Sequence, residues 1–213
     1  MIRNYLIILL LASCAALPLA CAQETNEKVV TIHTTMGKIK VKLFNDTPLH
    51  RDNFLSHVEA QRYDSVLFHR VIKQFMIQAG EGSADPGYAT IPAEIVYPKY
   101  FHKRGMLCAA RMGDDVNPER ASSATQFYIV TGKYFTEMEL DAMEKNQGIT
   151  LTPEQRQAYM LEGGAPHLDG KYTVFGEVVS GLKVVDKIQL SPTGEADRPV
   201  KEIRIKSMKL VKK

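Results

Sequence analysis

One segment of the chain combines a cation, apolar side chains and an amide at a spacing that could do chemistry. Arg70 lies eight residues before Gln78, and Phe75 and Met76 lie between them. If the chain turns near residues 73–74, Arg70 and Gln78 can face one groove with an apolar floor, where a permanently charged guanidinium offers several donors. An arginine among apolar strand residues is costly unless its charge is used or paired. The residues alone favour the alternative, a salt-bridged surface arginine beside core aromatic side chains.

The rest of the sequence offers no pattern for metal, nucleotide or covalent chemistry. The six histidines are scattered and form no close metal-binding pair, and no Cys/His metal spacing occurs. The sequence also lacks a G-x-S-x-G nucleophile motif, a phosphate loop and a dinucleotide fingerprint. A formal net charge of +3 gives no reason to expect a nucleic acid partner. We therefore expect no metal, no cofactor and no nucleic acid.

Residues 1–22 have the character of a targeting segment. Arg3 supplies a positive charge, and residues 5–19 form an apolar stretch too short to span a bilayer comfortably as a helix. Residues 20–22 fit the small-x-small pattern of signal cleavage, whereas the sequence around Cys14 resembles a bacterial lipobox that would leave Cys14 lipidated. The chain stays apolar after Cys14, which slightly favours ordinary cleavage. Either route predicts an exported, periplasmic protein, soluble or lipid-anchored to a membrane.

Alternation of apolar and polar residues predicts a mainly β domain after a short polar lead-in at 23–28. Residues 29–35 and 38–44 alternate on either side of a Met-Gly turn, which predicts a β-hairpin. Further strand-like runs bring the number of strands to eight, at 66–72, 76–79, 106–111, 126–131, 172–179 and 200–210. Many short strands with Gly/Pro-rich connections favour a sandwich or a closed barrel.

Two helices are predicted outside the strands. Thr47 as N-cap and Pro48 at the first helical position predict a helix that runs to about Glu59. A second helix is predicted at 181–188.

Residues 134–164 interrupt the β pattern and predict an inserted helical hairpin. Capping boxes begin at Thr136 and at Thr152, and Gly148 and the pair 163–164 provide the ends. Each helix is too short to be stable alone, so the hairpin should pack on the barrel. The apolar residues available for that contact are Met138, Leu140, Met143, Tyr159, Met160 and Leu161. Because the insertion ends just before His167, we expect it at the rim of the groove.

The segment from Phe68 to Gln78 resembles the signature of the cyclophilin family, F-H-R-x-I-x-x-F-M-x-Q-x-G. Further family blocks follow in the same order, at 91–94, 102–105, 107–111, 121–131 and 168–176. The resemblance implies one domain at 29–213, a closed eight-stranded antiparallel β-barrel capped by two helices, with the helical insertion at 134–164. It also implies peptidyl-prolyl cis-trans isomerase activity without a cofactor. The implied partners are proline-containing peptides and unfolded exported proteins, and the implied state is a monomer.

The resemblance assigns roles to eleven residues of this sequence. Arg70 matches the catalytic arginine. The residues that match substrate-binding positions are Phe75, Met76, Gln78, Ala110, Arg111, Gln126, Tyr128, His167, Leu168 and Tyr172. Among these, Phe75, Met76 and Leu168 match walls of the proline pocket. Gln78 matches a side chain that binds the substrate backbone.

Four of the matched positions depart from the usual family residue. Ala110 and Arg111 stand where the family has an Ala-Asn pair that contacts the peptide backbone, so Arg111 replaces the asparagine. Tyr128 replaces a phenylalanine and adds a hydroxyl. Tyr172 stands where many members have histidine, and His167 stands where many have tryptophan. Because that tryptophan helps bind cyclosporin, we expect weak inhibition by the drug.

Two other functions remain open from the sequence. A cyclophilin-like fold could act as a chaperone or peptide-binding module with little turnover. A structural lipoprotein would require Cys14 to be the processed N-terminus and the groove to be incidental. The presence of Arg70, Phe75, Met76, Gln78 and Tyr128 together favours the enzyme over both.

Overall fold

The computed structural model describes residues 27–80 and 89–211. The predicted targeting segment 1–22, including Cys14, lies outside these residues, as does most of the polar lead-in, so both stay predictions. Within the described ranges, none of the helices combines the length and apolar character that crossing a membrane requires.

Ten strands and four α-helices make up the described part of the chain. The strands are β1 (Val29–Thr34), β2 (Gly37–Leu43), β3 (Arg70–Ile72), β4 (Met76–Ala79), β5 (Thr90–Ile91), β6 (Met106–Ala109), β7 (Ser122–Ser123), β8 (Phe127–Val130), β9 (Val174–Ser180) and β10 (Ile205–Leu210). The helices are α1 (Pro48–Glu59), α2 (Glu137–Gln147), α3 (Pro153–Leu161) and α4 (Leu182–Gln189). Two short 3₁₀ turns lie at Pro166–Leu168 and Glu195–Asp197.

Eight strands form one antiparallel sheet in the order β10-β1-β2-β9-β6-β8-β4-β3, while β5 and β7 form a separate pair. The mainly β fold with eight strands is confirmed, but the closed barrel predicted from the sequence is not supported: the sheet is an open half-barrel whose edges are β10 and β3. Only scattered backbone hydrogen bonds join residues 65–68 to residues 203–205, around one isolated bridge between Leu67 and Arg204. Because this segment makes no continuous ladder, the strand predicted at 66–72 is shortened to Arg70–Ile72.

The main core lies between one face of the sheet and helices α1 and α4. Helix α1 packs on β9 and β10, and α4 packs on β2, β3 and β4. Phe54 of α1 is almost fully buried and contacts the rings of Tyr63, Phe127 and Phe175. Full burial of one such side chain stabilises the fold by about 1.5–3 kcal/mol. The helix predicted from Pro48 to Glu59 is confirmed at both ends.

Thr47 is the N-cap residue of α1, as predicted, but its side chain does not cap the helix. The Thr47 side chain makes no capping hydrogen bond to the first turn. The carboxylate of Glu94 instead accepts from the backbone N–H of Leu49 at 3.1 Å and of His50 at 2.9 Å. A third bond, 2.7 Å long, joins Glu94 to Nδ1 of the buried His50 ring. A residue far away in the chain therefore satisfies donors that a local cap was expected to satisfy.

The predicted helical hairpin at 134–164 is present as α2 and α3. Both predicted capping boxes form, with Thr136 accepting from the Glu139 N–H and Thr152 accepting from the Gln155 N–H. The hairpin has a small core of its own, made of the buried residues Phe135, Leu140, Leu151 and Tyr159. Two of the apolar residues expected to contact the barrel do not, because Met138 and Leu161 are exposed to solvent.

Candidate active site

A cavity of about 150 Å³ opens beside the β3–β4 hairpin. Nine of the eleven residues singled out in the sequence line it: Arg70, Phe75, Met76, Gln78, Ala110, Arg111, Tyr128, Leu168 and Tyr172. The other two lie at its border. Gln126 hydrogen-bonds Gln78, and the ring of His167 packs on the ring of Phe75. The fold therefore gathers these side chains from three distant parts of the chain, while their roles stay predictions.

The turn predicted near residues 73–74 brings Arg70 and Gln78 together. Strands β3 and β4 are antiparallel, and Arg70 is the direct cross-strand partner of Gln78. The backbone carbonyl of Phe75 accepts from the N–H groups of residues 131–132, at 3.0 and 3.1 Å. These bonds hold the turn against the end of β8, so the aromatic floor and the arginine keep a fixed relation.

Alternation along β8 separates the main core from the floor of the cavity. Phe127 and Ile129 belong to the main core, whereas Tyr128 and Val130 belong to a second apolar cluster on the opposite face of the sheet. The buried members of this second cluster are Phe44, Met76, Met106, Cys108, Tyr128, Val130, Ala165, Leu168 and Val174. Because side chains alternate between faces with a period of two, one short strand supports both the fold and the site.

Arg70 satisfies both alternatives drawn from the sequence. Its Nε donates to Asp197 Oδ2 at 3.3 Å, and its side chain is 46% exposed, as for a surface ion pair. It also lines the cavity. The hydrogen bonds of the described residues leave both Nη nitrogens of Arg70 unengaged, so donors remain available to a ligand.

The amide of Gln78 is held by a second amide. Gln78 Nε2 donates to Gln126 Oε1 at 2.9 Å, which orients the Gln78 side chain and leaves its own Oε1 as an acceptor. Gln126 borders a neighbouring groove of about 460 Å³ that shares Gln78, Ala110 and Arg111 with the first cavity. The two cavities are therefore neighbours that share part of one wall.

Arg111 is a buried, fully engaged side chain, 3% exposed. Its guanidinium lies over the ring of Tyr172, 4.3 Å from the centroid, and Nε donates to the Lys171 carbonyl at 2.9 Å. Its Nη2 pairs with Asp114 at 2.6 Å, and the Arg111 guanidinium lowers the pKa of the Asp114 carboxyl. The side chain therefore supports the Tyr172 wall, and the backbone contact with a peptide that the sequence predicts at this position stays a prediction.

Both backbone hydrogen-bonding groups of Ala110 are already engaged within the protein. Its N–H already donates to the Gln126 carbonyl at 3.0 Å, and its carbonyl accepts from the Ser123 N–H at 2.8 Å. Of the pair, Arg111 is the remaining candidate for a backbone contact to a peptide.

His167 lies exposed at the rim. Its ring packs on Phe75, with 5.3 Å between centroids. Burial lowers the pKa of His167, and the neighbouring His102 and Lys171 add to that effect. The neutral form of the imidazole is therefore favoured at this position.

The sequence reading missed a buried polar chain behind the cavity, made of Tyr159, Asp169, His102 and Tyr128. Tyr159 Oη donates to Asp169 Oδ2 at 2.6 Å, and Asp169 Oδ1 lies 2.9 Å from His102 Nδ1. His102 Nε2 lies 3.1 Å from Tyr128 Oη. One signal was available, because the hydroxyl of a buried tyrosine at a phenylalanine position needs a partner.

Neither a metal cluster nor a reactive thiol is found in the part of the chain that the structure describes. No group of three or more His, Cys, Asp or Glu side chains there could hold a metal ion. Cys108 is buried, and burial raises the pKa of its thiol well above the usual value. The cavity therefore suits a ligand that has an apolar part for the walls and polar groups that hydrogen-bond to Arg70 and Gln78.

Comparison with known proteins identifies the family. The family model described as cyclophilin type peptidyl-prolyl cis-trans isomerase/CLD matches residues 29–210. The chain is 33% identical over 183 residues to peptidyl-prolyl cis-trans isomerase CYP18-1 of Arabidopsis thaliana, covering 83% of this chain and 91% of that protein. It is 31% identical over 190 residues to peptidyl-prolyl cis-trans isomerase-like 3 of Dictyostelium discoideum, covering 84% and 92%.

Among solved structures, a Cryptosporidium parvum cyclophilin type peptidyl-prolyl cis-trans isomerase has the same fold, with a TM-score of 0.66 at 24% identity, covering 88% of this chain and 99% of that one. The chain belongs to the family of cyclophilin-type peptidyl-prolyl cis-trans isomerases. Its activity is the isomerisation of Xaa–Pro peptide bonds.

Proposed function

We propose that the cavity beside the β3–β4 hairpin binds proline-containing peptides and that Arg70 is the catalytic residue. The observation that carries this proposal is the placement of Arg70 opposite Gln78 at the edge of an apolar cavity. A Cryptosporidium parvum relative of the same fold has been crystallised in the presence of the dipeptide Ala-Pro, which supports a ligand of this class.

The reaction is a rotation, so it needs no bond cleavage. Partial double-bond character of the peptide C–N bond makes the barrier about 18–20 kcal/mol. At the transition state the amide is twisted, conjugation is lost, and the prolyl nitrogen becomes a better hydrogen-bond acceptor. A guanidinium donor of Arg70 that meets this lone pair only in the twisted state stabilises the transition state selectively.

The remaining residues hold the two flanks of the bond differently. Phe75, Met76 and Leu168 line the cavity and provide apolar surface for the prolyl ring. The Oε1 of Gln78 can accept from the substrate backbone, and Arg111 lines the same cavity. One flank is thereby fixed while the other rotates.

The experiment is a protease-coupled assay on a proline tetrapeptide with the purified domain. We expect catalysis of cis–trans exchange that persists after treatment with a chelator. Loss of activity in chelator with the fold intact would contradict the cofactor-free mechanism. A folded protein that binds the peptide without accelerating exchange would favour the alternative, a chaperone or peptide-binding module.

The targeting segment supports a further proposal, that the enzyme is a bacterial, exported protein that assists folding of exported proteins as a monomer. The support is the short charged start and apolar stretch within residues 1–22. Mass spectrometry of the protein from membrane and soluble fractions tests it. A mature N-terminus at Gln23 indicates a soluble periplasmic enzyme, and a lipidated Cys14 indicates an anchored one. An intact Met1 in the cytoplasm would overturn export.

A further inference from the structure

We propose that the inserted helical hairpin positions the wall of the proline pocket through the buried polar chain of Tyr159, Asp169, His102 and Tyr128. Tyr159 belongs to the insertion, and Tyr128 lines the cavity. The proposal rests on the proposed function, because it takes this cavity as the place that holds the prolyl ring.

The polar chain is buried along its whole length. Tyr159 is 0% exposed, His102 1% and Tyr128 4%, and the Asp169 side chain is 3% exposed. Buried polar groups of this kind are costly to leave without a partner. Each group in the chain therefore fixes the position of the next.

The chemistry of the groups sets the direction of the hydrogen bonds. The Asp169 carboxylate accepts from the Tyr159 hydroxyl, from His102 Nδ1–H and from the His102 backbone N–H, the last at 2.8 Å. In the tautomer with the proton on Nδ1, His102 Nε2 can accept from the Tyr128 hydroxyl. Burial raises the pKa of both tyrosines, which keeps the two phenols protonated as donors. Bonds in series in a low-dielectric interior strengthen one another.

The insertion is seated tightly at the Tyr159 end. The Tyr159 ring makes edge contacts with Phe101 and Phe135, whose centroids lie 5.6 and 6.1 Å away. Gly164, at the end of the insertion, leaves room for this ring, since a Cβ there would lie 2.5 Å from a Tyr159 ring atom. Helix α3 therefore cannot shift without moving the hydroxyl that Asp169 accepts from.

The polar chain meets the pocket wall at two places, beside Asp169 and at Tyr128. Asp169 follows Leu168 directly in the chain, and Leu168 lines the cavity. Tyr128 lines it from β8. The insertion thus acts on the pocket from behind the wall. Tyr159, Asp169 and His102 do not line the cavity, so they are positioning residues.

Tyr159→Phe tests the proposal, because it removes one hydroxyl and keeps the ring. A loosened wall holds the prolyl ring less well in ground state and transition state alike, which raises KM and leaves kcat nearly constant. We expect KM for a proline tetrapeptide to rise about threefold to tenfold, the effect of one buried hydrogen bond, with kcat within about twofold of wild type.

Tyr97→Phe is the matched control. Its hydroxyl also contacts the insertion, at Gln155 Oε1 of α3 3.4 Å away, but it lies outside the polar chain. We expect wild-type KM and kcat for this variant. A rise in KM equal to that of Tyr159→Phe would overturn the proposal, since any loosening of the insertion would then suffice.

A double-mutant cycle with Tyr128→Phe tests transmission along the polar chain. If the bonds act as one unit, Tyr159→Phe should raise KM much less in a protein that already carries Tyr128→Phe. Effects on KM that multiply would overturn the proposal, as would a folded Tyr159→Phe enzyme with wild-type KM. Turnover of the wild-type enzyme is measured first. If the folded wild type does not catalyse exchange, the proposed function has failed by itself, and the dissociation constant of the peptide replaces KM in these comparisons.

A measurement on the wild type keeps the test valid if a variant does not fold. Titration with the proline tetrapeptide should shift the imidazole ¹⁵N signals of His102 and the ring signals of Tyr159. Both side chains lie outside the cavity lining, so their signals report transmission rather than contact. Signals that stay unchanged at saturating peptide would overturn the proposal.

Discussion

Replacing Arg70 with alanine is expected to lower kcat/KM for a proline tetrapeptide by about 10²–10³-fold, the usual cost of removing one well-aimed transition-state donor. The expectation follows from the Nη nitrogens, which have no partner among residues 27–80 and 89–211, and from a reaction whose charge redistribution centres on one nitrogen. A loss of kcat larger than any rise in KM would indicate that the donor acts in the transition state.

Stability should change little in the same variant. The Arg70 side chain is 46% exposed, and its ion pair with Asp197 is long, at 3.3 Å. Exposed pairs of this kind contribute about 0–1 kcal/mol. Thermal unfolding of Arg70→Ala should therefore stay close to that of the wild type, which separates a catalytic loss from a folding loss.

Two further variants sharpen the interpretation. Arg204 is another half-exposed arginine; it pairs with Glu202 and does not line the cavity. The kcat/KM of Arg204→Ala should therefore stay at the wild-type value. Arg70→Lys keeps the charge but loses the planar fork of donors, so it should recover only part of the rate. Near-native kcat/KM in Arg70→Ala would remove Arg70 from the catalytic role.

Features set by neighbouring residues could be predicted from the sequence. The β3–β4 turn, the two capping boxes and the start of α1 at Pro48 all depend on spacings of a few residues. Hydrogen bonds within one turn of chain leave a pattern that a single sequence can reveal. For the same reason the gathering of Arg70, Phe75 and Gln78 was predictable, since one hairpin carries all three.

Features set by distant residues could not be predicted in this way. The buried polar chain joins side chains from four separate segments of the chain, and no local spacing indicates it. The exposure of Met138 was also missed, because apolar character alone does not say which helix face finds a partner. A closed barrel would require β3 to pair with β10, and the alternation within each strand does not determine whether they pair.

The capping of α1 by Glu94 gives the second large expected effect. Its carboxylate, 13% exposed, accepts from two backbone N–H groups of the first helical turn and from the His50 ring. The His50 side chain is 2% exposed, and among the described residues its Nε2 finds no hydrogen-bond partner, so within that part of the chain Nδ1 carries the ring's hydrogen bond. Loss of the carboxylate leaves several donors unpaired at once.

Glu94→Ala should therefore destabilise the protein by about 2–4 kcal/mol, the combined cost of a lost cap and an orphaned buried imidazole. Denaturant unfolding of the purified domain measures this loss. Glu94→Gln keeps one carbonyl acceptor and should lose less. Glu139→Ala is the matched control, because Glu139 caps α2 from an exposed position, and its loss should be smaller still.

The activity of Glu94→Ala distinguishes a structural role for Glu94 from a role in the site. Glu94 does not line the cavity, so the folded fraction should keep wild-type kcat/KM at temperatures well below unfolding. If Glu94→Ala unfolded at the same denaturant concentration as the wild type, the first turn of α1 would have to find another cap, and Thr47 is the nearest side chain that could supply it. A Thr47→Ala substitution in that background would then lower stability, whereas in the wild type it should not change the capping of α1.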